Sequence, residues 1–141
     1  MLYSTKNCKE KAPPMKISES ILWKKINSIQ KTSKNWHLTR IESSTVCGIP
    51  DIFGIIDNCP FWLELKANKA KNLNLTKFQI NWHIKYRACG GVVRILNALA
   101  PQNTLELLEI REDRSVSRVS CYNPDRTFDE NLREMLQRAR N

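Results

Sequence analysis

Two carboxylates and a lysine stand inside otherwise apolar sequence. In "GIPDIFGIIDNCPFWLELKA" (48–67), Asp51 opens one apolar run, and Glu64 and Lys66 interrupt the next. The intervening "DNCP" has the composition of a tight turn, so the two runs read as strands of a hairpin. Folded about that turn, Asp51 comes roughly opposite Glu64 to Lys66. Side chains alternate along a strand, so Glu64 and Lys66 share one face and Leu65 points to the other. Three ionisable groups then converge at one end of a sheet rich in Ile, Phe, Trp and Leu. Two carboxylates at that range repel, and partial burial raises the cost. A divalent cation such as Mg²⁺ or Mn²⁺, held by hard oxygen ligands, removes the conflict. The lysine is not a ligand. It can orient or help deprotonate a bound water, or stabilise charge building on a phosphate. The same three residues would also suit a solvated edge strand, with Asp51 a turn residue after Pro50.

The composition suits a polyanionic partner. The chain has 141 residues, the length of one domain, and 41% apolar residues, enough for a core. Lys and Arg number 23 against 14 Asp and Glu, a net charge of +9. For a small domain that imbalance points to nucleic acid, although surplus charge also serves solubility. Mean hydropathy is −0.48, and no window approaches the ~18 apolar residues of a membrane span. The five cysteines, at 8, 47, 59, 89 and 121, form no CxxC pair, which argues against a disulfide framework and against zinc. Reduced thiols and an N-terminal stretch without a signal-peptide apolar run lead to the expectation of a cytoplasmic protein.

The elements that must position the three residues follow from periodicity. Residues 1–16 read as a flexible basic arm. The spacing in "ISESILWKKINSIQK" predicts a helix capped by Ser18 or Ser20. "WHLTRIES" (36–43), "DIFGII" and "FWLELKA" read as strands. "LTKFQINWHIKYRACGG" reads as a second helix, with Thr76 as N-cap, Phe78, Trp82, Ile84 and Tyr86 as apolar surface, and Gly90-Gly91 as its stop. "VVRILNAL" and "TLELLEIRE" read as strands, 116–121 as a short strand, and "FDENLREMLQRARN" as a last helix. A hairpin followed by a strand–helix–strand crossover implies an α/β domain, a central mixed sheet flanked by helices.

With these elements in place, "GIPD", "ELK" and "LTKFQINWHIKYRACGGVVRIL" together resemble the PD-(D/E)XK nuclease superfamily. Within it the chain looks most like the VRR-NUC group, in the small stand-alone form of viruses and phages. The resemblance covers about residues 17–97 and implies a restriction-endonuclease-like fold over 17–141, with a further strand and helix in 104–141. It implies Asp51 and Glu64 as metal ligands, helped by the Leu65 carbonyl, and Lys66 as the catalytic lysine. Gln79 would support the lysine or the attacking water, and Glu19 would be the N-terminal acid completing the metal site. An acid in the first turn of a helix is also ordinary capping chemistry. Gly48 and Pro50 would shape the entry to the strand.

The function so implied is a Mg²⁺- or Mn²⁺-dependent endonuclease on DNA, selective for branched substrates such as Holliday junctions and working as a homodimer in the (host) cytoplasm. A less selective flap or duplex endonuclease, or a non-catalytic basic DNA-binding module, are the alternatives. Lys69, Lys71, Lys77, Arg40 and Ser44 are candidate DNA contacts. His37 and His83 read as packing or surface residues, with His37 and Arg40 able to touch DNA together. Trp23, Trp36, Trp62 and Trp82 read mostly as core. The sequence contains no Gly-rich phosphate loop, so an NTPase is not expected, and no helix-turn-helix or zinc finger for base-specific readout is apparent.

Overall fold

Leu22, Ile26 and Ile29 recur at intervals of four and three, which lays them along one stripe of a helix. In the computed structural model, which describes residues 17–43, 45–68, 72–99 and 102–141, that helix is α1, Glu19–Lys31. Ser18 caps it, its Oγ accepting the Ile21 amide at 3.1 Å. Ser18 takes this role because its backbone is extended, as an N-cap requires, whereas Ser20 lies inside the helix. The arm at 1–16 lies outside the described residues.

The strands are β1 (Trp36–Arg40), β2 (Ile52–Ile56), β3 (Cys59–Asn68), β4 (Val93–Leu99), β5 (Thr104–Ile110) and β6 (Val116–Cys121). Helix α2 (Lys77–Ala88) joins β3 to β4, and α3 (Phe128–Ala139) follows β6. All six strands form one sheet in sequence order. Neighbours are antiparallel except β3 and β4, which are parallel. Parallel neighbours need a crossover, and α2 supplies it. The architecture is the α/β mixed sheet flanked by helices that the periodicity implies.

The hairpin turn is narrower than the four residues of "DNCP". Asp57 and Asn58 both take positive φ, 49° and 69°, the conformation of a two-residue turn matched to strand twist. Cys59 and Pro60 therefore belong to β3 and pair with Ile56 and Ile55. Gly54 leaves room on β2 for the side chain of Leu38, which occupies the space a Cβ would need.

Alternation divides β3 between two environments. Phe61, Leu63 and Leu65 are buried against α1 and α3, in a core with Leu22, Ile26, Ile52, Leu132 and Leu136. Trp62, Glu64 and Lys66 face the side that carries α2, where Ile80 and Ile84 pack on Ile95, Leu108 and Ile110. Two expectations about this layer change. Phe78 is not helix-packing surface but 50% exposed. The four tryptophans are only half-buried, with Trp23 and Trp36 packed against the α1 and α3 core on the other face. Trp62 and Trp82 pack with Phe53 and Tyr86, at ring-centroid distances of 4.8 to 5.3 Å, into an aromatic cluster. Helix α2 packs on β4 and β5, so the rings themselves roof this part of β2 and β3.

Leu63 is fully buried and anchors the strand that carries Glu64. Leu63→Ala should cost about 2–5 kcal/mol, read from the urea midpoint at constant slope. A loss below about 0.5 kcal/mol would mean that β3 is not seated between the sheet neighbours and the helices as described.

Candidate active site

The site begins where β2 begins. Ile52 pairs with Leu63, so continuing the register sets Asp51 opposite Glu64, as the hairpin reading requires. The Asp51 carboxylate is fixed from β3: its Oδ2 accepts the backbone amide of Leu65 at 2.8 Å. The amide of Trp62 donates toward β4. Strand alternation then turns both the amide and the carbonyl of Leu65 toward the β2 side, beside Asp51.

Glu64 is 3% exposed. Its Oε2 accepts Gln79 Nε2 at 2.9 Å and lies 3.8 Å from Lys66 Nζ. Its Oε1 is buried and accepts no hydrogen bond. Burial, then the charge of Asp51, raises the Glu64 carboxyl to about 8, against the opposing pull of Lys66. The charge of Glu19 adds to the rise. The carboxyl of Glu19, in the first turn of α1, is also raised, first by burial and then by Asp51, with Lys66 and Arg40 pulling it down. The helix-borne acid thus converges electrostatically on the two strand acids.

Gln79 ties the site to α2. It is the N3 residue of a capping box: Thr76 Oγ1 accepts its amide at 3.1 Å, and its Oε1 accepts the Thr76 amide at 2.9 Å. The same Oε1 accepts Lys66 Nζ at 3.4 Å, while Nε2 holds Glu64. Helix start, lysine and carboxylate are therefore joined through one amide. Gly48 brings the preceding loop onto this helix start. Its φ is +84°, and a Cβ there would collide with the Phe78 carbonyl.

Among the described residues, no three His, Cys, Asp or Glu side chains are gathered closely enough to enclose a cation. The donor set nonetheless suits a hard divalent ion at the Asp51–Glu64 pair. It offers two carboxylates in mutual conflict, one with an unpaired buried oxygen, beside a backbone carbonyl. The tools of phosphate contact are partly in place. Arg40 lines a cleft of about 760 Å³ together with Asp51, Thr76, Phe78 and Gln79. Lys77 opens α2. Ser44, Lys69 and Lys71 lie outside the described residues. Ser43 Oγ accepts the Val46 amide at 3.0 Å and so caps its own loop. His37 and Arg40 do not act together, because their positions on β1 differ by an odd number and face opposite sides.

Two polar features go beyond the sequence reading, which gave His83 only as a packing or surface residue. His83 is fully buried, with neither ring nitrogen hydrogen-bonded. Burial, then Arg87, then Lys66 lower it to about 4, so it is neutral at physiological pH. Gln79, His83 and Arg87 stand at i, i+4 and i+8, a helical spacing that could have flagged a common face. Asn97, paired in register with Lys66, is 1% exposed. It donates to Glu106 at 2.9 Å and accepts from Asn68 at 3.3 Å. Only its place in an apolar strand marks it in the sequence.

The raised carboxyl has a consequence for stability. Unfolded, Glu64 titrates near 4.5; folded, near 8. Between those values the folded state keeps a proton that the unfolded state has shed, so rising pH erodes stability across that window. In EDTA, Glu64→Gln should therefore exceed wild type in stability at pH 8 by on the order of 1 kcal/mol or more and match it near pH 4. Identical pH profiles in urea denaturation would contradict a buried carboxyl at this position.

No protein-family model matches this chain, and no curated protein does. Among solved structures, the chain is similar to Hjc, a Holliday junction resolvase of the archaeal hyperthermophile Archaeoglobus fulgidus. The likeness is at 19% identity and a TM-score of 0.48, over 71% of this chain and 88% of that one.

Proposed function

We propose that the protein is a Mg²⁺- or Mn²⁺-dependent endonuclease that hydrolyses DNA phosphodiester bonds and prefers branched DNA such as a four-way junction. The observation that carries this reading is Glu64: a carboxyl buried opposite Asp51, braced by Gln79 and Lys66, with one oxygen left unpaired. A purely structural site has no reason to meet that cost. The net charge of +9 supports a polyanionic substrate. The "GIPD" and "ELK" motifs support membership of the PD-(D/E)XK superfamily, in its VRR-NUC group.

Asp51, Glu64 and the Leu65 carbonyl would hold the metal, with Glu19 approaching from α1. Bound there, the ion would polarise a phosphoryl oxygen and make the attacking water more acidic. The protein's own groups do the rest. Asp51 is kept in place by the Leu65 amide. Lys66 Nζ lies at the centre, 3.8 Å from Glu64, where it would orient the water or stabilise charge on the phosphate. Gln79 restrains Lys66 and Glu64 together through its two ends. Arg40 and Lys77 would bind flanking phosphates and set the strand's path. The water attacks phosphorus in line, leaving a 5′-phosphate and a 3′-hydroxyl. A four-way junction must be nicked at two symmetric places, so a two-fold homodimer with two such sites fits that substrate.

The test is cleavage of a labelled four-way junction, a flap and a linear duplex, with Mg²⁺, Mn²⁺ or EDTA. Wild type should nick the junction symmetrically with either metal and not in EDTA. Lys66→Ala should lower the rate by about 10²–10³-fold. Asp51→Asn should abolish cleavage while binding persists. Tight binding without cleavage in either metal would replace the enzyme with a DNA-binding module, and equal cutting of all three substrates would remove the branch preference.

A further inference from the structure

Four large apolar side chains are exposed among the described residues: Val46 at 49%, Ile55 at 39%, Phe78 at 50% and Val116 at 41%. Two of them, Val46 and Phe78, line the same cleft as Asp51 and Gln79. Nothing in the packing of α2 needs Phe78 there. The helix seats itself with Ile80 and Ile84 and turns Gln79 inward. Nor does the arrangement look loose. Gly48 draws the loop that bears Val46 against the backbone at Phe78, closely enough to exclude a Cβ. Two cations stand near this apolar wall, in a cleft that Glu42 and Asp51 also line. Lys77 Nζ lies 5.6 Å from the centroid of the Phe78 ring, and Arg40 lies in the same cleft.

An aromatic face, a branched apolar side chain and two cations beside a phosphodiester centre match one chemical class, a nucleotide whose base is free to stack. We propose that Phe78 and Val46 form a subsite for an unpaired nucleobase of the DNA substrate, adjacent to the phosphate that is cut. The subsite rests on the endonuclease reading and deepens it, because it says how branched DNA is preferred. Aromatic stacking accepts any base, so the subsite reads no sequence. A paired base must first leave its duplex stack to enter, which costs less beside a branch point, and a base in a splayed arm is already free. Backbone phosphates reach Arg40 and Lys77 in either case. Selectivity for branched DNA then comes from the base at the cut site.

A cycle between protein and base tests this. Binding of the full chain to a splayed-arm junction is measured by anisotropy in EDTA, so the readout does not depend on cleavage. The junction carries either normal bases or single abasic sites scanned through the unpaired nucleotides at the branch. Phe78→Ala should weaken binding of the normal junction by roughly 5- to 150-fold, the range of one lost base–aromatic stack. At one position the abasic site should weaken wild type by a similar factor, and Phe78→Ala should then add no further loss. Phe78→Trp should restore affinity. The thermal midpoints of the variants report folding, and Phe78→Leu substitutes for the alanine variant if that one does not fold. Equal losses on normal and abasic junctions at every position, or no loss at all, overturn the subsite. Wild-type cleavage without this coupling would overturn the subsite alone. Coupling without cleavage in Mg²⁺ or Mn²⁺ would overturn the enzyme and keep the subsite.

Discussion

A carboxyl buried beside another carboxyl governs this structure. Glu64 sits on β3, an interior strand of the sheet that pairs antiparallel to β2 in its first half and parallel to β4 in its second. Water is excluded there, and Asp51 lies across the hairpin. The protein relieves the conflict with a lysine two residues along and with a glutamine from a helix. It does not relieve it fully, since Oε1 keeps no partner and the carboxyl is raised to about 8. A group held this way is poised to exchange its proton for a cation, which is the basis of the catalytic reading.

The helix that serves this carboxyl is shaped by the same need. A capping box would satisfy the first amides of α2 with any side chain of the right length. With glutamine at N3, the amide end remains free to donate to Glu64 while the carbonyl end caps Thr76. A glutamate there would cap equally well but would add another carboxylate to Asp51, Glu64 and Glu19. Gly48 and the left-handed backbone it adopts bring the loop from β1 onto this helix start. Loop, strand pair and helix then meet in one cleft, open to solvent and bordered by Arg40 and Phe78.

Polar groups elsewhere on the α2 side follow a different logic. Asn97 is buried next to the Lys66 position, and both ends of its side chain are occupied by Asn68 and Glu106. Glu106 in turn approaches Arg118 at 3.6 Å. This chain is closed, so it orders the sheet without inviting a ligand. His83 is the exception, neutral and without partners behind the Lys66 side of the site. The contrast between a satisfied asparagine and an unsatisfied glutamate oxygen separates structural from reactive polarity within one face of the sheet.

Local rules made much of this legible. The approach of Asp51 to Glu64 and Lys66 needs only a hairpin register and strand alternation, both short-range. The capping role of Thr76 needs only the residues that follow it in sequence. Glu19 at the start of α1 was reached by resemblance rather than by spacing. The depth of Glu64, the second bond of Gln79, the isolation of His83 and the outward turn of Phe78 were not legible. Each depends on where α2 comes to rest after crossing between two parallel strands. That position is set by Ile80 and Ile84 packing on Ile95 of β4 and on Leu108 and Ile110 of β5. Periodicity names the residues on a helix face, but which face lies over the carboxylate and which over the cleft is decided by packing between distant parts of the chain.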